Sequence, residues 1–121
     1  MKYILLIHDD EATWAAMSED ERNQLFKEYM EFGNELQQRG ALRAGDQLQP
    51  TSTATTVRVR DGKTLTTDGP FAETKEQLGG YYIIECDNLD QAIDAAAMVP
   101  STKVGGVVEV RPIVDFEEHP Q

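Results

Sequence analysis

Cysteine and positive charge are scarce in this 121-residue sequence, and each shortage excludes a class of function. The one cysteine, Cys86, has no partner for an internal disulfide and gives no cysteine-based zinc pattern. Eleven Lys and Arg residues stand against 22 Asp and Glu residues, for a net charge of -11. A surface this acidic repels the phosphates of nucleic acids and of anionic membranes, so we expect neither as a partner. Solubility alone also explains the excess of acid.

Long apolar runs and the motifs of common enzyme classes are missing as well. The apolar start at Lys2–His8 meets Asp9 and Asp10 too early for a signal peptide or a membrane span, which predicts a cytoplasmic protein. The chain has no P-loop, no dinucleotide-binding glycine pattern, and no HExxH or GxSxG element. Since no further His or Cys has ligand spacing beside His8 and Asp10, we expect no metal and no cofactor.

The pattern of apolar residues is typical of a single α+β domain over residues 1–121. Lys2–His8 and Gly79–Cys86 are apolar on both alternating faces, which predicts two strands inside a sheet that is covered on both sides. Ser18 and Glu21 have capping-box spacing, and this spacing predicts a helix from Ser18 to Arg39.

The remaining predicted elements are a strand around Val57–Arg60, a return strand at Lys63–Thr67, a helix over Asn88–Met98, a last strand at Val107–Val114 and a tail at residues 115–121. Asp61 and Gly62 form a two-residue hairpin turn, since both tolerate positive φ. Both hairpin strands alternate with polar residues, so we expect the hairpin toward an edge of the sheet. Leu89, Ala92, Ile93 and Ala96 are expected on the buried side of the second helix.

Two helices cannot cover both faces of a sheet built in this order. A split βαβ arrangement, as in ferredoxin-like folds, puts both helices on one face. At least two strands are nevertheless apolar on both faces, so the second face must pack on something else. We predict a homodimer in which two sheets pack face to face.

The segment DGPFAETKEQLGGYY, Asp68–Tyr82, resembles the signature of the DGPF family, which is also called the YCII-related family. Similar stretches lie in order along nearly the whole chain, among them MKYILLIHDDEATWAAMSEDER, ATTVRVRDGKTLTTDGPF, NLDQAIDAAAMVP and VEVRPI. The resemblance implies a ferredoxin-like domain with an inserted β-hairpin that dimerises as an α+β barrel. It implies no well-defined activity.

The resemblance brings a catalytic pattern that this chain does not match. In YCII-type relatives, a His on the first helix and an Asp near the end of the second helix form the catalytic pair, and at least one relative uses such a pair to eliminate a halide from a small ring. The predicted first helix contains no His, and AAAMVPSTK at the end of the second contains no Asp. The mechanism therefore does not carry over.

The resemblance also implies a regulatory alternative. DGPF proteins resemble partners of extracytoplasmic-function sigma factors, because they are often encoded beside them. This chain would then be a non-catalytic partner of a sigma factor, with the acidic surface of the first helix meeting a basic protein patch.

Candidate chemical groups concentrate in the DGPF loop, residues 68–76, and around it. The substrate-binding candidates are Asp68, Phe71, Thr74, Lys75 and Tyr81, and the catalytic candidates are His8 and Glu73. Lys75 can hold a substrate carboxylate, and Glu73 can act as a general base if it is partly buried. Histidine suits proton transfer near neutral pH, and alternation puts Asp10 on the same face as His8. Phe71 is expected to anchor the loop in the core or to line a pocket.

Each of these residues also has a structural interpretation. Asp68 begins a rigid turn through Gly69 and Pro70. Glu73 and Glu76 bracket Lys75 in a way that fits weak ion pairs on a solvated turn. His8 at a strand end often bonds to backbone. The function expected from the sequence is binding of a small organic molecule near the DGPF loop, with acid–base catalysis as a further step.

Overall fold

The computed structural model describes residues 1–117 and confirms the α+β fold. Its elements are β1 (Lys2–Asp9), α1 (Glu11–Ala16), α2 (Glu19–Gln38), β2 (Leu42–Gln47), β3 (Thr55–Arg60), β4 (Lys63–Asp68), β5 (Gln77–Glu85), α3 (Leu89–Ala97) and β6 (Val107–Pro112), with 3-10 turns at Thr51–Thr53 and Pro100–Val104. The tail predicted at residues 115–121 lies partly outside the described residues.

The main sheet has four antiparallel strands in the order β2-β5-β1-β6. Because β5 lies between β1 and β2, the β1–α2–β2 unit is a split crossover, as in ferredoxin-like folds. The buried side chains of β1 are Tyr3, Leu5 and Ile7, and they form one core with Phe32 of α2 and Ala92 of α3. Both long helices therefore cover the same face of the sheet, as predicted.

The opposite face of the sheet carries apolar side chains that none of the helices in the described part of the chain covers. Ile4 pairs with Ile83, and Leu6 lies two residues further along β1, on the same face. These three side chains are half-buried, whereas their neighbours on the helix side are buried.

None of the helices in the described chain is long and apolar enough to cross a membrane.

Helix α2 begins as the sequence predicts, but a short helix before it was missed. The Ser18 side chain accepts from Glu21 N at 3.1 Å and Glu21 Oε1 accepts from Ser18 N at 3.0 Å, which completes the capping box. Helix α1 is capped by Asp10, whose Oδ1 accepts from Ala12 N at 2.9 Å. Six residues with no buried side chain leave no apolar periodicity to detect.

The hairpin turn is confirmed, but the predicted position of the hairpin is wrong. Asp61 and Gly62 have φ of 52° and 75°, as a two-residue turn requires. Within residues 1–117, strands β3 and β4 pair only with each other and form a separate two-stranded sheet. The edge next to β5 is taken by β2, a strand whose sequence LRAGDQ lacks alternation and which was not predicted.

Helix α3 starts at the predicted cap, and the predicted burial of Ala92 and Ala96 is confirmed. Asn88 Oδ1 accepts from Gln91 N at 3.0 Å. The expectation that Leu89 and Ile93 are buried is wrong, since they are 48% and 49% exposed. The buried side chains are the small ones Ala92, Ala95 and Ala96, which let the helix approach the sheet closely.

Candidate functional site

The carboxyl group of Asp9 lies at the end of β1, on the face that the helices cover. The absence of a side chain at Gly106 makes room for it. A Cβ at Gly106 would collide with Asp9 Oδ1, and a Cβ at Gly79 would lie 3.5 Å from Asp9 Oδ2. The β1–β5 register shifts between Ile7 and His8, and this shift leaves Gly79 without a partner residue on β1.

A chain of hydrogen bonds connects Asp9 to α2. The Tyr29 hydroxyl donates to Ser101 Oγ at 2.8 Å, and the Ser101 hydroxyl donates to the Asp9 carboxylate. Ser101 is only 2% exposed and belongs to the 3-10 turn that follows α3. Residues from β1, α2 and this turn therefore meet in one polar network inside an otherwise apolar layer.

Burial perturbs the proton affinities of two groups in this network. It raises the pKa of Asp9 above its ordinary 3.8, while the Ser101 hydrogen bond and the charge of His8 act in the opposite direction. Burial also raises the pKa of Tyr29 to about 12. Tyr29 therefore remains a neutral hydrogen-bond donor near neutral pH, and Asp9 is the group that can change its charge.

Next to Asp9 is a cavity of about 180 Å³, here called the aromatic cleft, which lies between the sheet and helices α1 and α2. The aromatic rings on the helix side of the sheet that border it belong to Trp14, Phe26, Tyr29 and Tyr82. Trp14 meets Phe26 edge to face with 5.4 Å between ring centroids, and Tyr82 is held by a similar contact with Phe32 at 5.1 Å. The walls are thus fixed by packing.

Glycines form the floor of the aromatic cleft. A Cβ at Gly45 would lie 2.6 Å from a ring carbon of Tyr82, and one at Gly80 would lie 3.1 Å from the carbonyl oxygen of Asp46. Side chains at these two positions would push against the ring or the neighbouring strand. Their absence lets Tyr82 lie against β2 and keeps the cleft open.

Hydrogen bonds from Glu11 hold the short helix α1 to two neighbouring segments, which fixes Trp14 above the cleft. Glu11 N donates to Gln77 Oε1 at 2.9 Å. The Glu11 carboxylate accepts from Thr51 N at 2.8 Å and from Thr51 Oγ1 at 3.0 Å. Although α1 buries no residue, it is thus bonded to β5 and to the segment after β2.

A second cavity of about 270 Å³ shares Asp9, Trp14 and Tyr29 with the aromatic cleft. It is also lined by Lys75 and Glu76 of the DGPF loop. Asp9 therefore lies where two cavities meet, one with aromatic walls and one with charged groups from the loop.

The other predicted site residues are spread over different places. His8, Phe71 and Thr74 line a third, wider groove of about 650 Å³. Tyr81 borders the aromatic cleft, and its hydroxyl donates to Asp46 Oδ2 at 2.9 Å.

The structure places Asp68, Glu73 and Phe71 in exposed positions, and it gives Asp10 a capping role. Asp68 and Glu73 are exposed and line none of these three cavities. Asp10, expected beside His8, uses its carboxylate to cap α1. Phe71 is 75% exposed, so it is no core anchor; the Arg58 guanidinium lies 5.3 Å from its ring centroid.

The comparison with known proteins identifies the family of this chain. A model of the YCII-related domain matches residues 1–117. The chain belongs to the YCII-related family. An uncharacterised protein of Rhizobium meliloti (strain 1021) is 39% identical over 121 residues, which cover 97% of this chain and 95% of that relative.

Sequence reasoning about this YCII-related protein missed Asp9 and Ser101 as a pair. One signal was present, because Asp9 continues the buried register Tyr3, Leu5, Ile7 with a carboxylate. No signal pointed to Ser101, which lies 92 positions away and reaches Asp9 only through the turn after α3.

Proposed function

We propose that this YCII-related protein binds a small organic molecule in the aromatic cleft and that Asp9 exchanges a proton with it. The observation that carries the proposal is the position of the Asp9 carboxyl group, half-buried at the junction of two cavities. A carboxyl group with a raised pKa in a cleft is a common feature of functional sites. Ser101 and Tyr29 act as positioning residues, since they orient the carboxyl group through hydrogen bonds.

The size of the cleft limits the ligand. A buried apolar cavity of about 150 Å³ is large enough to hold benzene. The aromatic cleft, at about 180 Å³, therefore fits a molecule with a single ring or a short chain. A longer substituent would extend past Asp9 into the second cavity, toward Lys75.

Trp14 offers a direct test, because it is the only tryptophan of the chain and borders the cleft. We would titrate the protein at pH 7 with three probes of one shape, benzyl alcohol, benzoate and benzylamine, and follow Trp14 fluorescence. A saturable change with at least one probe is expected. A featureless response to all three would refute the proposal of a small-molecule site.

The proton-transfer part of the proposal has its own test. The carboxyl carbons of the Asp residues can be titrated by ¹³C NMR, with Asp9→Asn used to assign the Asp9 signal. Burial predicts that Asp9 titrates above the ordinary aspartate pKa of 3.8. If Asp9 titrates at 3.8 or below, it is not tuned for proton exchange, and only the binding part of the proposal remains.

We further propose that the protein is a homodimer. The support is the uncovered face of the main sheet, where Ile4, Leu6 and Ile83 form an apolar surface. The same face of a second copy would match it in shape and chemistry.

A further inference from the structure

The charges around the aromatic cleft are of one sign. Among the residues of the described chain that line it there is no Lys, Arg or His. Asp9 borders it, and within residues 1–117 no Lys or Arg forms an ion pair with Asp9. Asp46 also borders it, but its carboxylate accepts from the Tyr81 hydroxyl. The net charge of -11 also raises the concentration of cations near the surface.

The rings around the cleft, like the Asp9 carboxylate, favour a positively charged ligand. Aromatic faces carry a negative quadrupole and attract ammonium groups, and cages of this kind bind amines and quaternary ammonium ions. Trp14, Tyr29 and Tyr82 are three such rings, and Asp9 lies beside them. An anion here would meet the Asp9 carboxylate in a partly dehydrated site, where like charges repel strongly.

These observations argue against an anionic ligand in the aromatic cleft. Lys75, expected from the sequence to hold a substrate carboxylate, lines the second cavity and does not line the aromatic cleft. Any anionic group of a larger ligand would therefore lie on the far side of Asp9. The part in the cleft meets the Asp9 carboxylate, aromatic rings, Ile7, Gln47 and main chain.

We infer that the ligand of the aromatic cleft is a small organic cation, a primary or secondary amine carried on one ring or on a short apolar chain. This inference rests on the proposed function. The ammonium group pairs with the Asp9 carboxylate, and the apolar part contacts the rings of Trp14 and Tyr82.

The three probes of the Trp14 fluorescence experiment separate the ligand charges. Benzylamine is a cation at pH 7, benzyl alcohol is neutral and benzoate is an anion, while all three share one ring. We expect benzylamine to bind about tenfold more tightly than benzyl alcohol, with benzoate weakest. In Asp9→Asn the preference for benzylamine should fall to within about twofold, because the charge that selects the cation is gone.

The matched control is Asp94→Asn, which removes the same charge from an exposed position on α3. It should keep the full preference for benzylamine, which separates a local effect of Asp9 from the effect of net charge. Far-UV circular dichroism of both variants establishes that they are folded.

Each result has one meaning. If no probe binds, the proposed function and this inference both fail. If benzyl alcohol or benzoate binds as tightly as benzylamine, the cleft is a binding site but the ligand is not a cation. If the preference for benzylamine survives in a folded Asp9→Asn protein, the selection of charge does not come from Asp9, and the inference is overturned.

Discussion

The partly buried position of Asp9 disfavours the charged form of its side chain. For an acid whose pKa is raised in the folded state, folding becomes less favourable as pH rises through the interval above its ordinary pKa of 3.8. We therefore predict that Asp9→Asn is more stable than the wild-type protein at pH 7, since Asn can still accept from Ser101. The difference in the free energy of unfolding should shrink as the pH falls below 3.8.

Urea unfolding at pH 7 and at low pH measures this difference. Titratable groups near Asp9 include His8, Tyr29, Lys75 and Glu76, and none of them is changed by the substitution. A loss of stability in Asp9→Asn at neutral pH would contradict the prediction. A gain would mark Asp9 as a residue retained for function at a cost in stability.

Gly106 gives a second prediction at the scale of single residues. An alanine Cβ there would collide with Asp9 Oδ1 and would lie 2.8 Å from the carbonyl oxygen of Ser101. Because backbone cannot move aside cheaply, Gly106→Ala should lower the free energy of unfolding by about 1–3 kcal/mol. It should also weaken binding of benzylamine in the fluorescence assay.

Gly33→Ala is the control for this substitution. A Cβ at Gly33 meets nothing within 4 Å, and the residue lies inside α2. Alanine there should increase stability by up to about 1 kcal/mol through helix propensity. Equal effects of the two substitutions on thermal unfolding would show that crowding of Asp9 by a side chain at 106 has no cost.

At the scale of elements, the start of α2 can be tested directly. The Ser18 hydroxyl accepts from Glu21 N, so Ser18→Ala leaves that donor without its partner. We expect a loss of about 1 kcal/mol in the free energy of unfolding. Ser52→Ala makes the same chemical change at an exposed position and should have almost no effect. A Ser18→Ala protein as stable as the Ser52→Ala protein would contradict the prediction.

The elements that could be predicted are those whose signal is local. The capping box at Ser18, the turn at Asp61 and the two-sided apolar strand β1 depend on residues a few positions apart. The strand β2 could not be predicted, since its polar sequence becomes a strand only by pairing with β5. The candidate site was missed for the same reason, because Ser101 reaches Asp9 through tertiary packing.

At the scale of the whole molecule, the uncovered face of the sheet predicts self-association. Leu6→Glu places a charge in the middle of that face and should convert the dimer into a monomer. Native mass spectrometry measures the change. Ile93→Glu, on the exposed side of α3, is the matched control and should remain dimeric.

A wild-type protein that is monomeric in the same spectra would contradict the face-to-face arrangement.

The partnership with a sigma factor stays a prediction. The acidic first turn of α2, with Glu19, Asp20 and Glu21, is the surface such a partner would meet, and a complex of this kind should weaken as salt is raised.

The hairpin β3–β4 has a consequence for how this chain tolerates change in length. Its two ends are joined at the base, where Gly69 N donates to Ala54 O at 2.7 Å and Thr56 Oγ1 donates to Gly69 O at 2.8 Å. The hairpin shares no ladder with the main sheet, so its tip at Asp61 and Gly62 can be lengthened without shifting the register of β5. A peptide tag or a small domain inserted there would leave the strands that carry Asp9 and Tyr82 in place.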